Sequence, residues 1–309
     1  MEGWSPPVPS VPRAEGSGAA RTAGRLRSGA SALRSLTRVR TRYRTVAARR
    51  TEVSHHVVVR FSLRLNADWA RKAYGDEPGR EAWFAMRARL FRATAVASLE
   101  HQTVRPRQVL VLLDRGDRDL WTRHLDLAPP FVPVFVDPEQ AHLEVARRVL
   151  AVGARDVLLT RLDSDDAVEE RYLERLGATA REARRLGRSV AHVVACEGFV
   201  TDLARVQSLY YNCSPFLALY ARRYRGENIY AIEHETVLEL DPLLNTTARW
   251  MQVVHGSNVA NRLRRESRFE PGDARVMRLG PTRSVASGWP DGFAPQLLER
   301  AREVVPGPR

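Results

Sequence analysis

Val157-Leu158-Leu159-Thr160-Arg161-Leu162-Asp163-Ser164-Asp165-Asp166 decides how this 309-residue chain is to be read. A short apolar run that breaks into acidic residues reads as a buried strand ending at the edge of a sheet. In open α/β sheets, ligands bind outside the carboxyl ends of the strands, where loops converge and helix N-termini face the crevice. Three carboxylates in four residues repel one another there unless positive charge lies among them.

Working outward, apolar runs alternate with helical periodicity. Val57-Val58-Val59-Arg60-Phe61, Val109 to Leu113 ending at Asp114, and Phe131 to Val136 read as three further strands. Trp83, Met86, Leu90, Ala93 and Ala97 recur at spacings of three and four and predict the buried stripe of a helix. Asp137 is placed to cap a helix carrying Leu143, Ala146 and Val149, and Val168, Tyr172, Leu176, Ala180 and Ala183 form another stripe. Asp166 with Glu169 resembles a capping pair at the start of that last helix. The first half is β-α-β-α-β-α-β-α, the signature of an α/β fold with a mostly parallel, Rossmann-like central sheet flanked by helices.

Beyond Ser189 the pattern loosens to strand-like pieces at Val190 to Ala195 and Trp250 to Val254, with a helical segment near Ile232 to Leu240. Three regions are expected: a disordered basic N-terminal arm (1–52), a catalytic domain (53–262), and a peripheral extension (263–309) with one helix near Leu297 to Val304.

Composition narrows the function classes. The formal net charge is +13, and the first 52 residues, with eleven arginines against Glu2, Glu15 and Glu52, supply +8 of it. Lys72 is the only lysine, so arginine-biased coding accounts for much of the basicity. Arginine-rich, acid-poor sequence suits a disordered arm or an anionic-surface contact. A nucleic-acid-binding module working through this arm would leave the aspartate cluster unexplained, because clustered carboxylates repel a phosphate backbone; nucleic acid is not an expected partner. Cys196 and Cys213 form neither a disulfide framework nor a zinc set. No stretch reaches the roughly 20 apolar residues of a membrane span, and no apolar signal core opens the chain, so the cytoplasm is expected, with peripheral membrane contact through the arm.

A hard dication with oxygen ligands would relieve the repulsion between Asp163 and Asp165 and could carry a diphosphate. An EF-hand is excluded by Ala167 and Val168, which stand where glycine and further ligands are needed. A phosphatase with an aspartyl nucleophile fits poorly, since no lysine follows Asp163.

Three segments carry a resemblance. Ser98-Leu99-Glu100-His101-Gln102-Thr103 followed by the strand ending at Asp114 resembles the early part of GT-A glycosyltransferases. Thr160 to Ala167 looks like the central motif of the putative rhamnosyltransferase family within that fold, and Trp250-Met251-Gln252-Val253-Val254-His255-Gly256-Ser257-Asn258 is similar to its C-terminal motif. The resemblance covers about residues 57 to 262. It implies a glycosyltransferase that moves a sugar, rhamnose by the family label, from a nucleotide-diphosphate donor to a saccharide or other hydroxyl acceptor, with Mn2+ or Mg2+ as cofactor. It implies Asp114 against the base, Asp163 at the ribose or metal, Asp165 at the metal, and His255 as a late metal ligand or phosphate contact. A noncatalytic relative would carry the same motifs.

One departure stands out: the first strand ends Val59-Arg60-Phe61-Ser62, and Arg60, like Arg161, is a candidate for contact with phosphate or base or for pairing with a neighbouring carboxylate. An inverting transfer also needs a carboxylate to deprotonate the acceptor. Glu235 and Glu233 are the candidates, with Glu197 and Asp202 behind them. Trp250 is expected in the core, and Asn258 either orients His255 or makes a turn.

Overall fold

A computed structural model describes residues 53–63, 79–241, 243–255, 263 and 273–305, with only the backbone at Glu235. The basic arm, Asn258 and the rest of the C-terminal motif after His255 lie outside the described residues, as does the side chain of Glu235.

Four strands form the parallel half of one sheet: β1 (Ser54–Arg60), β2 (Gln108–Asp114), β3 (Phe131–Val136) and β4 (Asp156–Asp163), in the order β4-β1-β2-β3. Each of β1, β2 and β4 is a run rich in valine and leucine, buried over at least five consecutive positions. Alternation sends Val57, Val59, Val109 and Val111 into one core and Val58, Leu110 and Leu112 into another. Such double-sided burial is what parallel strands under crossover helices require.

The helices are α1 (Arg80–Phe91), α2 (Ala97–Glu100), α3 (Arg118–His124), α4 (Ala141–Ala151), α5 (Tyr172–Arg185) and α6 (Pro295–Val304). Between α1 and α2 a π-helical turn spans Arg92–Val96. The stripe facing the sheet is Phe84, Ala88, Phe91, Ala95 and Leu99. Leu90 and Ala93 face the opposite way, toward Ala301 of α6, so the expected stripe mixed two buried sides of one helix. On α4 the buried positions are Ala141, Val145, Ala146 and Val149, whereas Leu143 is 55% exposed. Asp137 makes no capping hydrogen bond and pairs instead with Arg115.

The remaining strands are largely antiparallel. β8 (Leu217–Arg222) pairs with β4, then come β6 (Val190–Thr201), β7 (Arg205–Tyr211) and β10 (Met277–Ser284). β9 (Leu243–Val253) runs parallel to β6, and the two-residue β5 (Ala167–Val168) pairs antiparallel with β9. Val168 is thus a strand residue, and α5 begins four residues later; Asp166 does not cap it, because its N-terminal flank is Arg171. The segment near Ile232 to Leu240 forms a 3-10 helix at His234–Glu239. β10 extends the sheet and α6 packs on α1, so much of the C-terminal segment builds the same body as the strands.

Trp250 is fully buried, stacks on Phe216 at 4.6 Å and donates its indole N–H to the Ala195 carbonyl at 2.7 Å. A side chain at Gly198, the β6 residue paired with it, would meet the indole at 2.2 Å, so only glycine fits there.

The Gln102-Thr103 pair explains why its motif precedes β2. The Gln102 amide donates to the carbonyls of Ser98 and Glu169, and its oxygen accepts from the Leu173 N–H at 2.9 Å. Thr103 donates its backbone N–H to the Glu170 carbonyl. The end of α2 is thereby tied to the chain just after the acidic motif. Gln102→Ala strands a buried N–H and a carbonyl without partners; a loss of about 1–3 kcal/mol is expected, measured by urea unfolding.

At the amino end of β1, His55 and His56 are buried, and His55 hydrogen-bonds Thr160 across 2.6 Å. Burial, with some repulsion from His56, lowers the His55 pKa to about 3. Burial is the main cause that lowers His56 to about 4. Above the ordinary histidine range both are neutral, folded or unfolded. Below about pH 6.5 the unfolded chain takes up protons that the folded one refuses, so stability falls as pH drops from about 6.5 toward 4. Thermal unfolding across that window should show the decline, with a shallower slope in His55→Gln.

Candidate active site

Parallel registry fixes the first pair of site residues. Arg60 is paired with Asp163 in the β1–β4 ladder, so both side chains emerge at the carboxyl edge of the sheet. Their distance is 2.9 Å from Nη2 to Oδ1, and both side chains remain about one-third exposed. Asp114 ends the neighbouring β2; its carboxylate accepts from the Gly116 N–H at 3.0 Å, and its own N–H donates to the Ser62 hydroxyl.

Arg161, two residues before Asp163 on β4 and so on the same face of the sheet, is buried. Its guanidinium donates to the carbonyls of Pro215 at 3.0 Å and Ile232 at 3.4 Å. The Tyr230 ring lies 5.4 Å from the Arg60 guanidinium and 5.9 Å from that of Arg161, while its hydroxyl donates to the Val58 carbonyl. Asp163 beside it raises the Arg60 pKa, and burial lowers that of Arg161. Both stay cationic at neutral pH. Glu233 is exposed and close enough to Arg161 to act on its charge.

The second pair comes from antiparallel pairing. Ala167 sits opposite Met251 and Val168 opposite Trp250, so tracing back from β5 and forward along β9 brings Asp165 and His255 together. His255 Nε2 is 3.1 Å from Asp165 Oδ2, with both side chains more than nine-tenths buried. Between them comes Arg87 of α1, which no motif announced. Its Nη2 donates to Asp165 Oδ1 at 2.7 Å, its Nε to the Ser164 hydroxyl at 3.1 Å, and its Nη1 is 3.2 Å from His255 Nε2. In sequence, an arginine three residues after Phe84 and four before Phe91 falls within the apolar stripe of α1, and that misplacement was the available signal. The π-helical turn contributes Thr94, whose hydroxyl reaches the Ser164 carbonyl at 3.3 Å.

The three aspartates therefore differ in environment. Burial would raise the Asp165 carboxyl, but Arg87 and His255 outweigh it and hold it well below the usual carboxylate range. Asp166 is pushed well above that range by burial and by the neighbouring Asp165 and Asp163, and its Oδ1 has no hydrogen-bond partner. Asp163 stays open at the edge beside Arg60.

A divalent cation at Asp163 and Asp165 does not fit this arrangement. Both Asp165 oxygens are engaged, by Arg87 and His255, and an Asp163 oxygen is engaged by Arg60. Among the described residues no group of three His, Cys, Asp or Glu side chains is arranged to hold a metal ion. Where Asp163, Asp165 and His255 were expected to converge on an ion, Arg87 and His255 converge on Asp165.

The other acids are dispersed. Asp202 accepts from the Ala204 and Arg205 N–H groups and pairs with the Arg205 side chain. Glu197 lines an open cavity of about 360 Å³ over β6, β7 and β10, with Tyr210, Arg249 and Arg278 around it. Glu169 binds Arg249 and Arg175 in the interior.

The chain matches the family described as putative rhamnosyl transferase over residues 56–267, and it belongs to that family. No curated protein matches the sequence. Solved structures similar to it include S. aureus TarS residues 1–349 in complex with UDP, at 14% identity and TM-score 0.26, covering 47% of this chain and 36% of that one. A putative nucleotide-diphospho-sugar transferase from Desulfovibrio desulfuricans is similar at 12% identity and TM-score 0.31, covering 65% and 82%. Mannose-1-phosphate geranyltransferase from Thermus thermophilus is similar at 17% identity and TM-score 0.30, covering 53% and 46%. The match thus spans about a third of that TarS chain, and at these scores none of the three bears on the site. Among the described residues no helix is long and apolar enough to cross a membrane.

Burial and the neighbouring carboxylates raise the folded Asp166 carboxyl above its unfolded value, so the folded chain holds this proton to higher pH than the unfolded chain, at a cost to stability. That cost is absent below the unfolded carboxylate pKa and grows as pH rises above it. Asp166→Asn removes it. The variant should match the parent near pH 3 and melt progressively above it as pH rises, read by calorimetry.

Proposed function

We propose that this chain transfers a sugar, rhamnose by its family's description, from a nucleoside-diphosphate donor to the hydroxyl of a saccharide or similar acceptor. The observation that carries the reading is the grouping of Arg60, Arg161 and Tyr230 beside the half-open Asp163 at the carboxyl edge of β1 and β4. Guanidinium groups at a sheet edge suit a diphosphate, which they contact through paired N–H donors. Asp163 suits the ribose hydroxyls and Asp114, one strand over from β1, suits the base.

In the reaction the acceptor oxygen bonds to the anomeric carbon as the bond from that carbon to the diphosphate oxygen breaks. The acceptor proton passes to a carboxylate, and the nucleoside diphosphate leaves with the electron pair. Charge on the departing diphosphate grows in the transition state, where fixed cations stabilise it most. Arg60 and Arg161 serve that role, and Glu233 beside Arg161 is the base favoured by position, with Glu235 two residues on as its alternate. The metal expected from the Asp163-Ser164-Asp165 spacing would require Arg87 to leave Asp165, and no step is assigned to it.

The test is thermal shift of the full chain against UDP-, dTDP- and GDP-linked sugars, followed by release of nucleoside diphosphate with a panel of saccharide acceptors. One donor class should raise Tm, and Arg60→Ala should weaken it about 10- to 100-fold, the cost of a lost charged hydrogen bond. Glu233→Gln should retain binding and lose turnover. Absence of any shift, together with salt-sensitive retention of RNA or DNA, would overturn the reading in favour of a nucleic-acid-binding protein.

A further inference from the structure

We propose that Arg87 is the built-in cation of the acidic motif, seated at Asp165 where a divalent ion would sit, so that the donor binds without a divalent ion. The inference rests on the function proposed above and adds to it the charge economy of the site.

Arg87 donates from two nitrogens, to Asp165 at 2.7 Å and to Ser164 at 3.1 Å, and its third nitrogen lies 3.2 Å from the His255 Nε2 whose N–H is directed at Asp165. Arginine's planar fork suits such simultaneous contacts. The group is enclosed, with side-chain exposures of 15% for Arg87, 8% for Asp165 and 3% for His255. A divalent ion requires carboxylate oxygens at about 2.0–2.6 Å, inside the shell Arg87 now fills. Bound beside Arg87, the ion would face a like charge at about 4 Å with little water between them. Bound in place of Arg87, it would leave a guanidinium without its carboxylate inside the protein, which is costly.

The charges balance in the same sense. Arg87 and Arg60 answer Asp165 and Asp163 one for one, so the pair presents no uncompensated negative charge to attract a dication. Arg161 donates to the carbonyl oxygens of Pro215 and Ile232, which leave its positive charge available to the donor's diphosphate.

Two measurements on the full chain decide the matter. The first is calorimetric titration with UDP, dTDP and GDP after EDTA treatment, repeated with Mn2+ or Mg2+. The second is Mn2+ titration without nucleotide, followed by the paramagnetic resonance of free Mn2+. In the parent protein one nucleoside diphosphate should bind in EDTA, added metal should change its affinity less than about threefold, and no Mn2+ should be taken up. Arg87→Ala should acquire a Mn2+ site at the vacated carboxylates and a dependence of nucleotide binding on that metal. Arg87→Lys, which keeps the charge and guards against a folding defect, should still bind nucleotide in EDTA. Nucleotide binding by the parent only with metal, or Mn2+ uptake by the parent alone, would overturn the inference and leave the glycosyltransferase reading standing. No nucleotide binding under either condition would overturn both.

Discussion

The site depends on the registry of two parallel strands. Once β1 and β4 are paired so that Val58 lies opposite Arg161 and Val59 opposite Leu162, Arg60 and Asp163 must emerge side by side at the sheet's carboxyl edge. A slip of one residue would turn Arg60 to the other face and bury its charge beneath the helices. The continuous burial of Val57, Val58 and Val59 against Leu158 and Leu159 is what fixes that registry. The apolar strands and the charged site are therefore one constraint seen at two ends.

Long-range ties then complete what the strands begin. Gln102 fastens the helix preceding β2 to the chain following the acidic motif, and the pairing of β5 with β9 carries His255 to Asp165 from 90 residues away. Arg87 closes the group from a third direction. Asp165 is thus held low by Arg87 and His255, Asp166 beside it is pushed up by burial and by its neighbours, and Asp163 is left partly open to solvent: one tetrapeptide gives three carboxyl groups in three different environments, set by what each touches.

What could be read in the sequence follows from the range of the forces involved. The four parallel strands were legible because each is a continuous apolar run whose end is marked by Asp114, Asp163 or a turn. The core position of Trp250 and the nearness of His255 to the acidic motif were legible through a resemblance spanning motifs in order. β7 and β8 were not, since neither short segment has a strong period, and β10 carries Gly280 and Pro281 within it. The orientation of α1 is not legible in the sequence, because a helix buried on two sides offers more than one stripe. Acidic spacing could suggest a cation but not its identity, because a guanidinium arriving from 78 residues away leaves no mark beside Asp165.

A metal ion and an arginine answer the same electrostatic demand, yet they differ in what they fix. The ion is exchangeable and carries two charges, so it can hold a carboxylate and a diphosphate at once. Arginine carries one charge and is covalently placed, so when Asp165 consumes it the donor's diphosphate must be met by other cations. Under the proposed function that demand falls first on Arg161, whose guanidinium donates to backbone carbonyls beside Tyr230, while Arg60 is shared with Asp163. The departure from an apolar ending in the first strand, Arg60 after Val59, is the counterpart of Arg87 in the acidic motif: a site that uses its own guanidinium to neutralise Asp165 needs further guanidinium groups for its ligand.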